Sequence, residues 1–454
     1  MASVEKPWVV VGGGILGMTL ALRLAQRGYP VTLCEAAPNL GGLADAWQLG
    51  EVTWDRHYHV TLLSDHYLRQ LLAELGLENE LRWTETKTGF LVDGKLHSFS
   101  NVWDFLRFPP LSLLDKFRLG ATIFYASRIK EGRSLEAIPV SDWLRKLSGK
   151  RTFERIWKPL LQAKLGENHN KASAAFIWTT IQRMYAARRT GLKKEMFGYV
   201  RGGYEIVHQR LEQALRVLGV EIRTSFPIAN IQANAAGGLN VIGANGTTLA
   251  AERVVATVPA AVAVRMCPAL NEEEQAKLLG VEYQGIICAS LLLKKPLAKY
   301  YVTNITDDTP FTAVIEMTTL VDPAELGGRS LVYLPKYLPQ DAAMWNESEE
   351  SIRERFVAAI EKIYPHFTRD DLLAFRLSRV KHVMPIPTLH YSDRLPPQVT
   401  SVPGLYLVNS AHIVNGTLNV NETIKLAEQS LELLLRTAAP SRMETITNHA
   451  AAAC

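Results

Sequence analysis

The sequence has few cysteines and no motif that pairs them. Cys34, Cys267, Cys288 and Cys454 are the four in 454 residues, and none belongs to a C-x-x-C pair. This spacing excludes a redox dithiol and a cysteine-bound metal, and it favours a reducing, cytoplasmic setting. The sequence also has no H-E-x-x-H motif for zinc and no G-x-S-x-G motif for a serine hydrolase, so we expect no metal.

Strong charge bias and long apolar runs are also missing. The net charge is +5 and 21% of the residues are charged. This balance is too weak to indicate a nucleic-acid partner. The sequence contains no signal-peptide pattern and no run long enough to cross a bilayer. We therefore expect a cytoplasmic protein, and contact with the inner face of a membrane stays open.

Glycine is concentrated near the N-terminus, in "WVVVGGGILGMTLALRLAQRGYPVTLCEAAPNLGGLA". Gly12, Gly14 and Gly17 form G-x-G-x-x-G between a strand-like and a helix-like run, and Glu35 ends the next strand-like run. The glycines permit a tight turn, close approach of a diphosphate and close helix packing, while the acid suits a ribose. Amides at the helix N-terminus, those of Ile15 and Leu16, bind the diphosphate. The stretch predicts a dinucleotide site.

A second glycine pair distinguishes between dinucleotides. Gly41 and Gly42 follow Glu35 after a short loop that begins at Ala36. This extension resembles the N-terminal signature of the large FAD-binding family that includes amine oxidases, protoporphyrinogen oxidase, phytoene desaturases and UDP-galactopyranose mutase. The resemblance implies FAD as cofactor. Leu43 stands where that family usually has an arginine, so one polar contact to the cofactor is expected to be missing.

The resemblance also implies cofactor contacts far along the chain. Ile228 lies in a segment similar to the strand that holds the adenine. Asn409 and Ser410 replace the family's usual Gly-Asp beside the ribityl chain. A helix N-terminus, capped by Asn419 or Asn421, is expected to point at the flavin pyrimidine. The cofactor residues predicted in these segments are Ile228, Asn409, Ser410, Thr417, Leu418 and Asn419.

Two histidines are the candidate catalytic residues. In "TWDRHYHV", Asp55 and His59 match the family's D-x-G-x-H, and His57 occupies the glycine position. An imidazole beside the flavin could donate to the ring or transfer a proton near neutral pH. Structural hydrogen bonding is the alternative for both histidines.

The order of the segments predicts the fold class. We expect an α/β protein with a Rossmann-like, three-layer FAD-binding domain of the glutathione-reductase type and an inserted α+β substrate domain. The FAD-binding domain is predicted at 1–85, 200–285 and 385–436, and the substrate domain at 86–199 and 286–384. A disordered tail is predicted at 437–454. Residues 105–129 combine helical apolar spacing with basic residues, which suits either a membrane-surface helix or a buried one.

The predicted function is that of an FAD-dependent oxidoreductase, an oxidase or a dehydrogenase. It would remove a hydride and a proton from a small, apolar or polycyclic substrate, and oxygen or a quinone would reoxidise the flavin. One alternative is a non-redox sugar-nucleotide mutase like UDP-galactopyranose mutase. Another is a non-catalytic prenyl-protein escort of the same fold. The sequence does not name the substrate, the electron acceptor or the oligomeric state.

Overall fold

The structure is a computed structural model that describes residues 7–188, 196–235, 237–414 and 416–438. A disordered tail is predicted from 437, but Thr437 and Ala438 belong to the C-terminal helix, and the tail from 439 onward lies outside the described residues. Within the described ranges the strands are β1 (Trp8–Val11), β2 (Val31–Cys34), β3 (Ala46–Leu49), β4 (Val52–Asp55), β5 (Thr61–Leu62), β6 (Leu81–Glu85), β7 (Thr88–Val92), β8 (Lys95–Ser98), β9 (Met196–Val200), β10 (Glu221–Arg223), β11 (Ile228–Ala233), β12 (Leu239–Gly243), β13 (Thr248–Ala251), β14 (Arg253–Ala256), β15 (Tyr283–Leu293), β16 (Val302–Ile305), β17 (Ala313–Glu316), β18 (Ser330–Leu338), β19 (Leu372–Pro385) and β20 (Leu405–Leu407). The helices are α1 (Ile15–Gln26), α2 (His66–Glu74), α3 (Val102–Arg107), α4 (Leu113–Arg128), α5 (Val140–Ser148), α6 (Lys150–Thr152), α7 (Lys158–Leu165), α8 (Ala174–Arg188), α9 (Gly203–Val217), α10 (Ala260–Met266), α11 (Glu272–Leu279), α12 (Glu349–Ile363) and α13 (Val420–Ala438).

A five-stranded parallel sheet in the order β10-β2-β1-β14-β20 forms the centre of the nucleotide-binding half. Every residue of β1 and β2 is buried, as expected for parallel strands covered on both faces. Three separate stretches of the chain supply the strands. Because all five run in the same direction, their carboxyl ends meet at one edge, which is where ligands bind in such sheets.

The two faces of this sheet are covered differently. Helices α1, α2, α9 and α13 pack on one face and share a single apolar core. The antiparallel sheet β11-β12-β13, together with α10 and α11, covers the other face. A hairpin turn lies between β12 and β13, where Gly246 has a φ of +82°. This arrangement confirms the predicted Rossmann-like, three-layer fold class.

The other half of the molecule is built on a seven-stranded mixed sheet, β19-β15-β18-β17-β16-β7-β8. Strand β15, next to the edge strand β19, is buried over its whole length and pairs with β18 and β19 on its two sides. Helix α12 covers one face of the sheet, and helices α3 to α8 enclose a separate aromatic core. The inserted α+β part is therefore confirmed, while its exact boundaries stay a prediction. None of the helices in the described ranges is both long and apolar enough to cross a bilayer.

Candidate functional site

The candidate site lies at the carboxyl edge of the parallel sheet. Gly12 follows β1, Glu35 follows β2, Thr257 follows β14, and Asn409 lies just after β20. Backbone hydrogen bonds fix the residues that follow these strands. The Gly12 amide donates to the carbonyl of Cys34 and the Thr257 amide donates to the carbonyl of Val11, both at 2.8 Å. Sequence positions more than 390 residues apart (Gly12 and Asn409) thus meet at one edge.

The three glycines of the first motif are required for different reasons. Gly12 has a φ of +111°, and a side chain there would also collide with Thr257. A Cβ on Gly17 would overlap the carbonyl oxygen of Gly12, so Gly17 permits close packing of α1 on β1. Gly14 has an ordinary φ of −75°. Among the described residues, only the Cα of Gly42, at 3.8 Å, lies near the position of a Gly14 Cβ. The protein itself does not require glycine at position 14, but a ligand in that open space would.

The second glycine pair lies directly against the first motif. Gly41 pairs with Gly14 in a parallel bridge, and its amide donates to the carbonyl of Gly13 at 2.9 Å. Gly41 and Gly42 have φ angles of +127° and +60°, which side chains rarely adopt. Because of these contacts, the two glycine motifs form a single backbone cradle.

The N-terminus of α1 opens into this cradle. Within the described ranges, no side chain caps this helix and no acid lies in its first turn. The amides of Ile15 and Leu16 and the positive end of the helix dipole are therefore available to an anion. These features suit a diphosphate.

Glu35 ties the cradle to the end of β2. Its carboxylate accepts hydrogen bonds from the amide of Gly13 at 2.5 Å and from the amide of Ala37, next to Ala36, at 2.8 Å. The Phe226 amide donates to the carbonyl of Glu35 at 2.8 Å, which brings the start of β11, and therefore Ile228, to the same end of the site. The residues predicted for the adenosine part of the cofactor are thus neighbours.

His57 is held by the protein at both ring nitrogens. Nδ1 lies 3.1 Å from the carbonyl oxygen of Leu43, and Nε2 lies 3.0 Å from the hydroxyl of Ser378. A carbonyl can only accept, so Nδ1 carries the proton and Nε2 accepts from the serine. Burial lowers the pKa of His57 to about 3, so the ring is neutral at pH 7. This geometry favours a structural role, in which His57 fixes the glycine-pair loop to β19.

His59 belongs to a polar cluster that borders the second glycine pair. Its Nδ1 lies 3.7 Å from Asp55 Oδ2, and its ring centroid lies 4.9 Å from that of Tyr204. The Tyr204 ring is 6.1 Å from His208, and a Cβ on Gly41 would lie 2.7 Å from His208 Cε1. Asp55 also accepts from the Tyr204 amide at 2.7 Å, at the start of α9.

The cluster contains polar atoms that a cofactor could satisfy. His59 Nδ1, the Tyr204 hydroxyl and His208 Nε2 are buried, and none has a hydrogen-bond partner among the described residues. Buried polar atoms are nearly always paired in native proteins, so these three indicate a missing partner. Burial lowers the pKa of His208 to about 4 and raises the pKa of Tyr204, so both side chains are uncharged at pH 7. The residues present therefore fit a polar cofactor beside Gly41.

Tyr204, His208 and Arg56 were missed by sequence reasoning. Tyr204 and His208 are four residues apart on α9, directly after the Gly202-Gly203 turn, and that spacing on one helix face was the available signal. The Arg56 guanidinium donates to the carbonyl of Gly42 at 2.8 Å. It thus brings a guanidinium to the loop where Leu43 replaces the family's usual arginine.

The C-terminal candidates lie beside an apolar pocket. Asn409 Oδ1 accepts from the Ala411 amide at 3.0 Å, while its buried Nδ2 has no partner in the described part of the chain. Asn419, not Asn421, caps α13, because its Oδ1 accepts from the Glu422 amide at 3.1 Å. Asn421 Oδ1 instead accepts from the amide of Leu68 at 3.2 Å. The pocket walls are Phe176, Met384, Pro385, Pro387, Tyr391, Ser410, Ile413, Gly416, Thr417 and Leu418.

These walls have a clear chemical character. Among the described residues that line the pocket there is no acid, lysine, arginine or histidine. Over the same described ranges, no group of three or more potential metal ligands occurs. Three residues predicted to contact the flavin, Ser410, Thr417 and Leu418, therefore adjoin an apolar space.

Comparison with known proteins agrees with this geometry. The family model described as "Flavin containing amine oxidoreductase" matches residues 17–421. A probable zeta-carotene desaturase from Synechococcus elongatus is 23% identical over 281 residues, which are 57% of this chain and 57% of that protein. The chain thus spans little more than half of the length of that relative.

Solved structures share the fold at low sequence identity. A putative protoporphyrinogen oxidase from Exiguobacterium sp. 255-15 superposes with a TM-score of 0.75 at 20% identity, over 96% of this chain and all of the other. Reduced UDP-galactopyranose mutase gives a TM-score of 0.73 at 16% identity, over 95% of this chain and 94% of the other. Proteins of different activity thus share this architecture.

Proposed function

We propose, from the premise that this chain belongs to the flavin containing amine oxidoreductase family, that it uses FAD to dehydrogenate an apolar substrate. Membership of the family makes the protein a flavin oxidoreductase, and it sets aside the non-catalytic escort. The identity of the flavin and the class of substrate are the proposed parts. The observation that carries the substrate class is the relative named probable zeta-carotene desaturase, and the uncharged walls beside Ser410, Thr417 and Leu418, which enclose only about 20 Å³, agree with it.

Several features of the cradle favour FAD over a mononucleotide flavin. The uncapped N-terminus of α1 suits a diphosphate, and Glu35 suits a ribose. A mononucleotide flavin has neither a diphosphate nor an adenosine. The open space at Gly14, bordered by Gly42, adds room for the diphosphate.

The chain's own residues supply binding, orientation and exclusion of water. When bound, the flavin supplies the acceptor for a hydride from a substrate C–H bond. Apolar side chains beside the predicted flavin contacts, including Phe176 and Met384, exclude water from that end of the site. The Asp55 carboxylate, with Oδ2 at 3.7 Å from Nδ1, orients the His59 ring beside the second glycine pair. Oxygen or a quinone is the proposed final electron acceptor. We also propose that the protein is located in the cytoplasm.

The described residues beside Ser410, Thr417 and Leu418 give no support to the alternatives that need charge recognition. A sugar nucleotide carries a diphosphate, and an amine substrate carries an ammonium group, so each needs buried partners of opposite charge. The described walls offer neither a cation nor a carboxylate. A hydrocarbon needs no such partner, and the relative named zeta-carotene desaturase supports a substrate of that class.

Anaerobic reduction of the purified protein tests this proposal. A polyene hydrocarbon in detergent, putrescine and a UDP-galactose sugar would be mixed separately with the oxidised protein, and the flavin absorption followed. We expect the hydrocarbon to bleach the flavin and to gain a double bond, while the other two leave it oxidised. Bleaching by putrescine alone would contradict the proposed substrate class, as would mutase activity that requires previously reduced flavin.

A further inference from the structure

Helix α4 presents its apolar side chains to solvent. Leu113 is 77% exposed, Phe117 is 74% exposed and Phe124 is 54% exposed. They recur at helical spacing along one side of α4, and we call them the apolar stripe. In the preceding helix, α3, Trp103 is 69% exposed, which extends the apolar surface.

The inward side of α4 is correspondingly polar. Asp115, Lys116, Thr122 and Ser127 are buried beside two apolar residues, Leu119 and Ala126. Lys116 Nζ donates to the carbonyl of Leu106 at 2.7 Å, and the hydroxyls of Thr122 and Ser148 are 2.8 Å apart.

The other two buried polar residues of α4 also have hydrogen-bond partners. Ser112 and Asp115 form a reciprocal cap, and the hydroxyl of Ser127 donates to Phe124 at 2.7 Å. The inward polar contacts fix the rotation of α4 and keep the apolar stripe outside.

A surface helix in the same protein shows the usual arrangement. In α12 the buried residues are Ile352, Phe356, Val357 and Ile360, and polar residues face outward. Exposed contiguous apolar surface on a folded protein marks an interaction site. The inversion of α4 therefore requires a partner that covers the apolar stripe.

The charges around the stripe identify the chemistry of that partner. Residues 102–130 contain five basic and two acidic side chains. Arg107, Arg118 and Arg128 are exposed, and the guanidinium of Arg128 lies 4.8 Å from the centre of the Phe124 ring. The two acids are engaged locally, since Asp104 accepts from Ser98 at 2.6 Å and Asp115 caps α4. Exposed charge beside the stripe is thus predominantly positive.

We propose that the apolar stripe and its basic border dock onto an anionic phospholipid bilayer. Helix α4 lies in the plane of the interface, with Phe117, Phe124 and Leu113 in the acyl boundary and the arginines among the headgroup phosphates. Apolar burial combined with basic residues is the pattern of interfacial helices. The inference is independent of the proposed function, because it rests only on α3 and α4.

A second copy of the chain fits this surface less well. In a two-fold dimer each residue faces the same patch on the partner, so Arg107, Arg118 and Arg128 would be brought near their own copies. Like charges oppose that contact, whereas acidic phosphates neutralise it. The charge pattern therefore favours lipid.

Flotation with vesicles tests the proposal directly. The flavin-loaded protein would be mixed with vesicles of phosphatidylcholine, with or without phosphatidylglycerol, at low and high salt. The double variant Phe117→Ser/Phe124→Ser removes the centre of the stripe. The control Val217→Ser/Leu279→Ser changes apolar residues that are 80% and 65% exposed on α9 and α11. Flavin content and melting temperature are measured for each protein.

We expect the parent and the control to float with anionic vesicles, more strongly at low salt. The stripe variant should bind anionic vesicles at least roughly tenfold more weakly than the parent, because it lacks the two phenyl groups that the bilayer would bury. The variant Arg107→Gln/Arg118→Gln/Arg128→Gln should lose the preference for anionic lipid. Absence of flotation of the folded parent at low salt would overturn the proposal. Equal binding of vesicles by the stripe variant and the parent would also overturn it. So would a parent that forms a dimer and does not bind vesicles, if the stripe variant is monomeric.

Discussion

The Cα of Gly42 lies 3.8 Å from the position that a Cβ would occupy on Gly14, and apart from the chain neighbours of Gly14 no other atom of the described residues comes within 4 Å of that position. We expect Gly14→Val to reduce flavin content to roughly a tenth of the parent value or less, because the side chain fills the space assigned to the diphosphate. The melting temperature of the apoprotein should stay close to that of the parent. Flavin released by denaturation, per mole of chain, and a thermal melt measure the two effects.

A matched variant separates ligand space from packing. Gly17→Ala should lower the melting temperature of the apoprotein, because its Cβ would overlap the carbonyl of Gly12. Gly120→Ala, with no protein atom of the described residues near its Cβ, should leave the flavin content unchanged and should not lower the melting temperature, because alanine favours the interior of α4 more than glycine does. Full flavin content in Gly14→Val would contradict the assignment of the cradle.

Glu35 joins the cofactor site to the loop that forms it. In Glu35→Ala the amides of Gly13 and Ala37 lose their acceptor, so the free energy of unfolding should fall by about 1–3 kcal/mol. Flavin affinity should weaken roughly tenfold, since the ribose also loses a partner. Glu35→Gln keeps one acceptor and should lie between Glu35→Ala and the parent. Titration of the apoproteins with FAD measures the affinity, and an unchanged affinity for Glu35→Ala would exclude its contact with the ribose.

The two candidate histidines should respond differently to substitution. His57→Ala leaves the carbonyl of Leu43 and the hydroxyl of Ser378 without their partner in a buried position. The expected loss is about 2–4 kcal/mol in the free energy of unfolding, measured by urea denaturation. His59→Ala should cost much less stability, because its Nδ1 has no hydrogen-bond partner among the described residues.

The reduction potential of the flavin tests whether His59 acts on it. A charge-assisted hydrogen bond gained in the reduced state is worth about 1–3 kcal/mol. A shift of roughly 20–60 mV should follow its loss, at about 30 mV for each 1.4 kcal/mol of a two-electron couple. Identical potentials in the parent and in His59→Ala would assign His59 a structural role and move the search for chemistry to the pocket.

How far the sequence predicts this site depends on the distance over which residues interact. Gly12, Gly14, Gly17 and Glu35 lie within one strand–helix–strand unit, so their spacing alone determines their geometry. Tyr204 and His208 reach Gly41 only through the packing of α9, and their four-residue spacing indicates a shared helix face but not what that face packs against. Long-range contacts of this kind become visible only in the folded chain.

The rotation of α4 illustrates the same limit. Its apolar spacing is visible in the sequence, but either side of the helix could have faced the core. The inward bonds of Lys116 and Thr122 decide the orientation, and their partners Leu106 and Ser148 lie on other elements. The sequence left a buried helix and a surface helix as equal alternatives for this reason.

Buried neutral histidines make stability sensitive to acid. Burial lowers the pKa of His57 to about 3 and that of His208 to about 4, below the ordinary value of 6.5. Between pH 6.5 and pH 4 the unfolded chain binds protons that the folded chain does not. The contribution of these histidines to the free energy of unfolding is therefore fully present above pH 6.5. It falls with decreasing pH by about 1.4 kcal/mol per pH unit for each histidine.

Urea denaturation at several pH values measures this loss. Below pH 6.5 the free energy of unfolding of His57→Gln should fall less steeply with decreasing pH than that of the parent. The difference should equal about the contribution of one histidine, because glutamine does not titrate. The exposed His390, 62% exposed at its side chain, provides the control, and His390→Gln should leave the pH dependence as in the parent. An acid branch that is equally steep in His57→Gln and in the parent would refute the buried, neutral state of His57.

The central claim is that the cradle formed by both glycine motifs and α1 holds FAD. The most direct measurement is the identity and amount of flavin released when the purified, folded protein is denatured, after reconstitution with an equimolar mixture of FAD and FMN. We predict about one FAD per chain and almost no FMN, since only FAD carries the diphosphate and ribose that α1 and Glu35 suit. Binding of FMN in preference to FAD, or of neither, would contradict the account.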